Sequence, residues 1–503
     1  MKRFLTICVI VLLAAMAAKA QQRIPCVHHI EGATTRGGYY ALPEPITQWD
    51  AQRTYRVPVV LITFKDCEFS MSDPVAYYRR LFNEEGFNEG KGKGCVADYF
   101  LEQSGGLCHM QFDIYGPIQV DTTAQGKTPS NYGEYPMEQS LKKLSATTDA
   151  DFSVYDWTGD GVVNQILFVA AGYTGNSVTG HIWPNSSQTY MKAPGNLPIQ
   201  MTSISCEKWG DDRLCGIGTI IHEFTHCLAL PDIYPTGGSV FSVVDEWDLM
   251  DGGNYTNFGW CPPNFSTMEK MFLGWTTPTE LTSATTVTGM KPVSEGGETF
   301  LIRNSGHKNE FYLLENRRQT GWDYGAPGNG LLIFHVDYDY NAWLNNNVNT
   351  SNNHLRYSLI PADNKTYIDW DPANNGKDPR KWTMSDRLRN RYLSTAAYPY
   401  TDEVSLVVNA SLTDETTPAS TLFHQNAEGT TFMSRPVTNI RIASDGSVSF
   451  DFLKTSTAIQ GIHADEADDV WYDLQGRRLP APPHTKGIYI VRRGKTVSKI
   501  IKP

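Results

Sequence analysis

The sequence predicts an α+β chain: a mixed α/β N-terminal domain, then an all-β sandwich, then a small C-terminal β module. Three observations carry this. Val57–Phe64 and Ile166–Ala171 are apolar runs rich in β-branched residues, the mark of strands buried on both faces. Asp73–Glu85 and Ala97–Gln103 have helical spacing, so helices and buried strands alternate up to about Trp275. Beyond Thr276 short alternating stretches recur between Gly, Asn, Asp and Pro turns, a sandwich pattern.

Taken in order, Met1–Ala20 reads as a secretory signal peptide. Lys2-Arg3 gives the basic start, Phe4–Ala18 the apolar run and Ala18-Lys19-Ala20 the small-residue cleavage site. Residues 21–56 form a polar, Gly- and Pro-containing lead-in, and 57–278 the α/β domain, with Met110–Val120 as a further strand. The sandwich occupies 279–455, with Thr299–Arg303, Glu310–Glu315, Gly330–Asp337 and Ser405–Val408 among its strands and more in Thr430–Leu453. The Asn-rich stretch Asn341–Asn353 reads as an exposed loop. A polar, acidic linker, 456–470, leads to a strand-turn-strand unit over 471–503.

The chain has 503 residues, 40% hydrophobic and 12% aromatic, enough for a packed core and against general disorder. Its formal charge is −11, and loss of the leader removes Lys2, Arg3 and Lys19 but no acid. So acidic a surface has no broad attraction for nucleic acid or anionic lipid. No second apolar stretch is long enough to span a bilayer, so export as a globular protein, secreted or at the cell surface, is expected. Past Cys8 of the leader, every cysteine lies between Cys26 and Cys261. In an exported chain these suggest disulfides, with Cys206–Cys215 the favoured pair and buried free thiols the alternative.

The segment with the most chemical content is Ile221-His222-Glu223-Phe224-Thr225-His226, continuing to Pro231-Asp232. Ile217, Ile220, Ile221, Phe224 and Leu228 follow helical spacing, so His222 and His226 stand one turn apart on one face. Such a pair can grip one Zn²⁺ at ~2.0–2.1 Å per nitrogen. Glu223 then sits beside the metal as a general base. Pro231 ends the helix and Asp232 can supply a third ligand, leaving one position open. Met250, in the turn Trp247–Gly253, would form a hydrophobic floor. Cys227 points away from the histidine face and reads as core, and His181 and His335 as structural histidines.

His222–Asp232 with Met250 resembles the aspartate-terminated metzincin pattern. The flanking text resembles the immune inhibitor A family of secreted bacterial metallopeptidases. The matching stretches are Val57–Phe69, Gly94–Pro117, Asp151–Gly172, Ile182–Pro184, Gly216–Tyr234, Trp247–Tyr255, Phe272–Trp275, Tyr312–Arg317, Gly321–Asp323 and Gly330–Asp337. The resemblance implies a zincin-type catalytic domain that hydrolyses protein or peptide substrates. It implies His222, His226 and Asp232 as zinc ligands, Glu223 as base and Met250 as the Met-turn residue. Tyr234 and Tyr255 are candidates for supporting the oxyanion. One departure is Ala229, where the family has glycine; a left-handed alanine would cost ~1 kcal/mol or more, so an ordinary turn that moves Asp232 is the competing expectation.

A second ion site is suggested by Asp156-Trp157-Thr158-Gly159-Asp160-Gly161-Val162-Val163-Asn164. Oxygen donors Asp156, Thr158, Asp160, the Val162 carbonyl and Asn164 have the spacing of a calcium loop, although Leu167 takes the place of the closing glutamate. An ion-free Asp/Gly turn is the alternative. Cys26 could cap a metal as a latency switch, with a disulfide partner as the blander reading. The tail Trp471–Pro503 resembles the sorting module of bacterial type IX secretion, which implies outer-membrane secretion machinery as a partner. The rival to a zinc endopeptidase is a non-catalytic adhesin or glycan-binding protein on a protease-like scaffold, using aromatics such as Trp343 and Trp370.

Overall fold

The computed structural model describes residues 42–124, 133–175, 178, 181–210, 212–236, 242–351, 353–365, 393–402, 405–454, 470–472, 479, 483, 487–493 and 496–502. The signal peptide, most of the lead-in with Cys26, Trp370 and the acidic run Asp465–Asp469 lie outside the described residues. The chain is α+β, with helices and several separate sheets. It divides into two units, Met1–Lys454 and Thr455–Pro503.

In the first unit, the N-terminal part is built on β1 (Thr54–Thr63), α1 (Pro74–Asn83), α2 (Val96–Gln103), β2 (His109–Gln119), α3 (Glu134–Thr147) and β3 (Val163–Tyr173). It continues with β4 (Asn185–Gln188), β5 (Lys192–Ala193), β6 (Leu197–Lys208), α4 (Gly218–His226) and α5 (Thr267–Phe272). The sheet order is β2-β1-β3-β6-β4. β1 runs parallel to β2 and β3, and β3 to β6, whereas β4 and β5 pair antiparallel with β6.

The apolar runs read from sequence are therefore the inner strands of a sheet covered on both faces, as parallel strands must be. Val57, Val59, Leu61, Leu167 and Val169 face one core with Tyr78 and Phe82 of α1, Phe100 of α2 and Phe224 of α4. Val60, Ile62, Ile166, Phe168 and Ala170 face the other, with Met137, Leu141 and Leu144 of α3. Asp73 caps α1 through its side chain onto the Ala76 N–H at 2.9 Å, which fixes the helix start.

The β-rich part contains β7 (Thr279–Glu280), β8 (Thr285–Met290), β9 (Phe300–Arg303), β10 (Glu310–Arg317), β11 (Gly330–Asp337), α6 (Tyr340–Leu344) and β12 (Tyr357–Leu359). The short pair β13 (Tyr400–Thr401) and β14 (Val408–Asn409) precedes β15 (Val437–Ile442) and β16 (Val448–Phe452). One sheet has the order β12-β11-β10-β9-β7 and another β15-β16-β8. Phe300, Ile302, Tyr312, Leu314, Leu331 and Ile333 pack against Val287, Val437, Phe450 and Phe452 of the smaller sheet. The alternate residues Leu301, Phe311, Leu313, Leu332, Phe334 and Val336 join the core of the N-terminal part. The five-stranded sheet is a middle layer, which is why β10 and β11 are buried along their whole length.

The second unit is described by itself. Its strands β17 (Val470–Tyr472), β18 (Gly487–Arg493) and β19 (Thr496–Lys502) form an antiparallel sheet. Trp471 and Val491 are buried.

Three expectations are corrected. The disulfide Cys206–Cys215 is not formed, and Cys67, Cys95, Cys108, Cys227 and Cys261 are not disulfide-bonded either. Cys206 packs among the apolar residues behind the first sheet, whereas Cys215 packs with Trp209 and Tyr255, so the two thiols belong to different clusters. The Asn-rich stretch is not simply an exposed loop, because Asn349 is buried and its side chain binds the Ile233 carbonyl and both backbone groups of Tyr357. Trp343 is fully buried and stacks on Phe272 at 5.2 Å, so it is core and presents no binding surface. Among the described residues, no helix is long and apolar enough to cross a membrane.

Candidate metal centre

α4 is buried along its whole length, so its polar residues are there at a cost that must be offset locally. Its start needs glycine: a Cβ on Gly218 would lie 2.1 Å from the Asn254 carbonyl oxygen, where the helix presses on the segment after the Met250 turn. One turn later His222 and His226 face the same side, with ring centroids 4.9 Å apart and planes at 89°.

Each ring is fixed by its Nδ1. His222 Nδ1 lies 2.9 Å from the Leu249 carbonyl and His226 Nδ1 2.7 Å from the Leu230 carbonyl. A carbonyl only accepts, so Nδ1 carries the proton in both rings and Nε2 presents a lone pair. Asp232 Oδ1 lies 3.3 Å from His222 Nε2 and 3.4 Å from His226 Nε2. Ligand atoms of the three residues fall within 4.8 Å of one another, and all three are buried. Burial pushes the His222 imidazole down, but the close approach of Asp232 and the charges of Glu223 and Asp232 outweigh it and hold the group above its usual value. The trio thus favours positive charge at its centre. Two nitrogens and one carboxylate oxygen are a donor set that suits Zn²⁺.

Asp232 reaches this place through the turn after α4. Ala229 N–H donates to the His226 carbonyl at 2.9 Å and Leu230 N–H to the Thr225 carbonyl at 3.4 Å, with Ala229 at φ +74°. These are the two bonds of a Schellman cap, with alanine in the position glycine usually takes. The ordinary turn entertained from sequence does not occur: the left-handed conformation is kept, and with it the approach of Asp232 to both histidines.

Asn346 was missed in the sequence. Its Nδ2 donates to Asp232 Oδ2 at 2.7 Å and its Oδ1 accepts from the Asp232 N–H at 2.6 Å. Asn346 sits at φ +54°, a conformation asparagine tolerates. The signal for it in the sequence is the asparagine run itself, because an asparagine side chain both donates and accepts.

The Met250 turn is joined to the ligands by backbone. Leu249 holds His222, the Met250 carbonyl accepts from the Ile233 N–H at 2.8 Å, and the Met250 side chain is buried. Behind the turn, Arg317 of β10 donates to the Trp247 and Asn264 carbonyls at 3.2 and 3.1 Å. It also pairs with Glu315 at 2.7 Å and Asp323 at 2.6 Å, all three side chains being fully buried. The middle sheet thereby holds the turn that holds His222.

Glu223 follows His222 on the helix and is buried; its backbone carbonyl accepts from Ser186 Oγ of β4. Tyr234 is buried just beyond Asp232, and Tyr255 is buried against Trp209 with ring centroids 5.8 Å apart. In the loop Asp156–Asn164, the Asp156 carboxylate accepts from the N–H groups of Thr158, Gly159, Asp160 and Gly161. Asp160 accepts from Val162 N–H and Asn164 from Trp157 N–H. His335 is hydrogen-bonded to Glu310 at 2.8 Å, as a structural histidine should be.

No family model matches the chain. The chain is similar to immune inhibitor A of Bacillus thuringiensis subsp. alesti. The two are 24% identical over 240 residues, an alignment covering 39% of this chain and 34% of that protein. The match thus spans about a third of the relative's length.

Proposed function

We propose that the chain is a zinc-dependent endopeptidase that hydrolyses peptide bonds of extracellular proteins. The observation that carries this is the convergence of His222, His226 and Asp232 within 4.8 Å, with Glu223 on the same buried helix. The similarity to immune inhibitor A supports a peptidase, and the tail resemblance supports export to the medium or the cell surface.

His222, His226 and Asp232 would hold the ion. When bound, zinc supplies Lewis acidity, lowering the pKa of water toward ~7 and polarising the scissile carbonyl. Glu223 takes the proton of the attacking water and delivers it to the leaving amine. Tyr234 and Tyr255 are the side chains we assign as donors to the developing oxyanion. β4 lies at the edge of its sheet, with β6 its sole partner among the described residues. An extended peptide can add there as a further strand, and the hydrogen bond from Ser186 to the Glu223 carbonyl ties β4 to α4.

The test compares casein or gelatin cleavage by the wild-type chain, a chelator-treated sample and Glu223→Ala. Loss of the base should lower cleavage by about 10²–10⁴-fold while bound zinc is retained. Equal cleavage in all three samples would reject the assignment, as a non-catalytic adhesin requires.

A further inference from the structure

The sandwich carries a second group of metal-ligand residues, His307, Glu310 and His424, whose ligand atoms also lie within 4.8 Å of one another. It is separate from the helix-borne trio in sequence and in the sheets that carry it. Glu310 opens β10 and Asp337 closes β11, and the two are direct register partners. Both carboxylates are buried. Like charges opposite each other on neighbouring strands repel, so this corner requires positive charge.

Arg356 supplies part of it, donating to Asp337 Oδ2 at 3.0 Å. His354 Nε2 meets the same oxygen at 2.6 Å, and His335 Nε2 meets Glu310 Oε1 at 2.8 Å. Glu310 is held in place by His335 Nε2 and accepts from the Phe423 N–H at 2.6 Å, the His424 N–H at 3.0 Å and Asn304 Nδ2 at 2.9 Å. His424 Nδ1 lies between the two carboxylates, 3.3 Å from Glu310 and 3.6 Å from Asp337. The Nδ1 atoms of both His307 and His424 are shielded from solvent and make no hydrogen bond. Two shielded ring nitrogens without a hydrogen bond are unusual and costly. The two rings stack on each other with centroids 3.8 Å apart.

We propose that His307, Glu310 and His424, with Asp337 alongside, form a second binding site for a divalent transition-metal cation. Two imidazoles and a carboxylate select a cation of the zinc, cobalt or nickel kind over calcium or magnesium. The rings now stand nearly parallel, at 9°. A cation bound in the plane of an imidazole cannot lie in two parallel planes, so binding must turn at least one ring. His424, whose side chain is 40% exposed, is the one free to move.

The experiment measures Zn²⁺ stoichiometry on the full chain by equilibrium dialysis and elemental analysis, with free metal set by a competing chelator. Co²⁺ absorption gives a second readout of nitrogen ligation. The wild type should hold two equivalents, and His424→Gln one. His222→Ala with His226→Ala should hold one, and all three changes together none. Circular dichroism matching the wild type checks that each variant is folded, and His307→Ala serves as the alternative if His424→Gln is not. Equal stoichiometry in wild type and His424→Gln overturns the inference. The outcome also separates this site from the proposed catalytic one. If the wild type holds only one equivalent, its loss with His222→Ala/His226→Ala overturns the second site alone, whereas its loss with His424→Gln upholds that site and overturns the catalytic reading.

Discussion

Two clusters in this chain offer the same donors, two imidazoles and a carboxylate, but only one is held ready. In the helix-borne trio the ring planes meet at 89°, so one cation can lie in both. In the sandwich cluster they are nearly parallel at 9°, so one cation cannot. The trio's Nδ1 atoms are anchored on the Leu249 and Leu230 carbonyls, whereas those of His307 and His424 have no hydrogen bond. The lesson is that donor identity sets which cation a cluster accepts, while the shell around the donors sets how much reorganisation binding requires. The trio should fill first in a zinc titration.

The strongest way to break that contrast is to remove the support behind the trio. Arg317 is the buried cation between Glu315 and Asp323, and two of its donors end on the carbonyls of Trp247 and Asn264. Arg317→Ala leaves two buried carboxylates without their counter-ion, and should cost about 3–5 kcal/mol of unfolding free energy. Denaturant titration reads this directly. A loss below about 1 kcal/mol would show that the middle sheet does not brace the Met250 turn, since a change that small is the mark of a surface pair.

A gentler change acts on one ligand. Asn346→Gly removes both hydrogen bonds to Asp232, and glycine accepts the φ of +54° without strain. Loss of such an orienting partner lowers metal affinity by about 10–100-fold. Competition with a chromophoric chelator would measure it, with the sandwich cluster as an internal reference that should not move. An unchanged affinity at the trio would mean that the backbone alone places Asp232.

These supports mark the limit of what the sequence disclosed. The buried strands around Val57–Ile62 and Ile166–Ala171 were legible because a sheet covered on both faces needs long apolar runs. The proximity of His222 and His226 was legible because helical geometry turns their four-residue spacing into one face, whereas the approach of Asp232 depends on the turn after the helix. The roles of Asn346 and Arg317 were not, because each acts across more than 50 residues of chain through hydrogen bonds that no local period encodes. Nor was the pairing of His307 with His424, which stand on separate segments and meet only when the sandwich closes. The cysteines misled for a related reason: their number suits disulfides, but the fold sends Cys206 and Cys215 into different clusters.

The smallest effect concerns Ala229, where opposing terms nearly cancel. A left-handed alanine costs about 1–2 kcal/mol relative to its usual conformations. Glycine would remove that strain, but it would also lose a buried methyl, worth about 0.8 kcal/mol, and gain roughly 0.4–1 kcal/mol of unfolded-chain entropy to be lost on folding. Ala229 is fully buried in the main core, so the methyl does contribute. Ala229→Gly should therefore change stability by less than about 1 kcal/mol, read as a shift in denaturant midpoint at constant slope. Zinc affinity should hold, because the Schellman bonds and the path to Asp232 are kept. A gain above about 2 kcal/mol would mean that the methyl packs against nothing useful. A loss of that size would mean that the buried methyl and the added unfolded-chain entropy outweigh the strain of the left-handed φ.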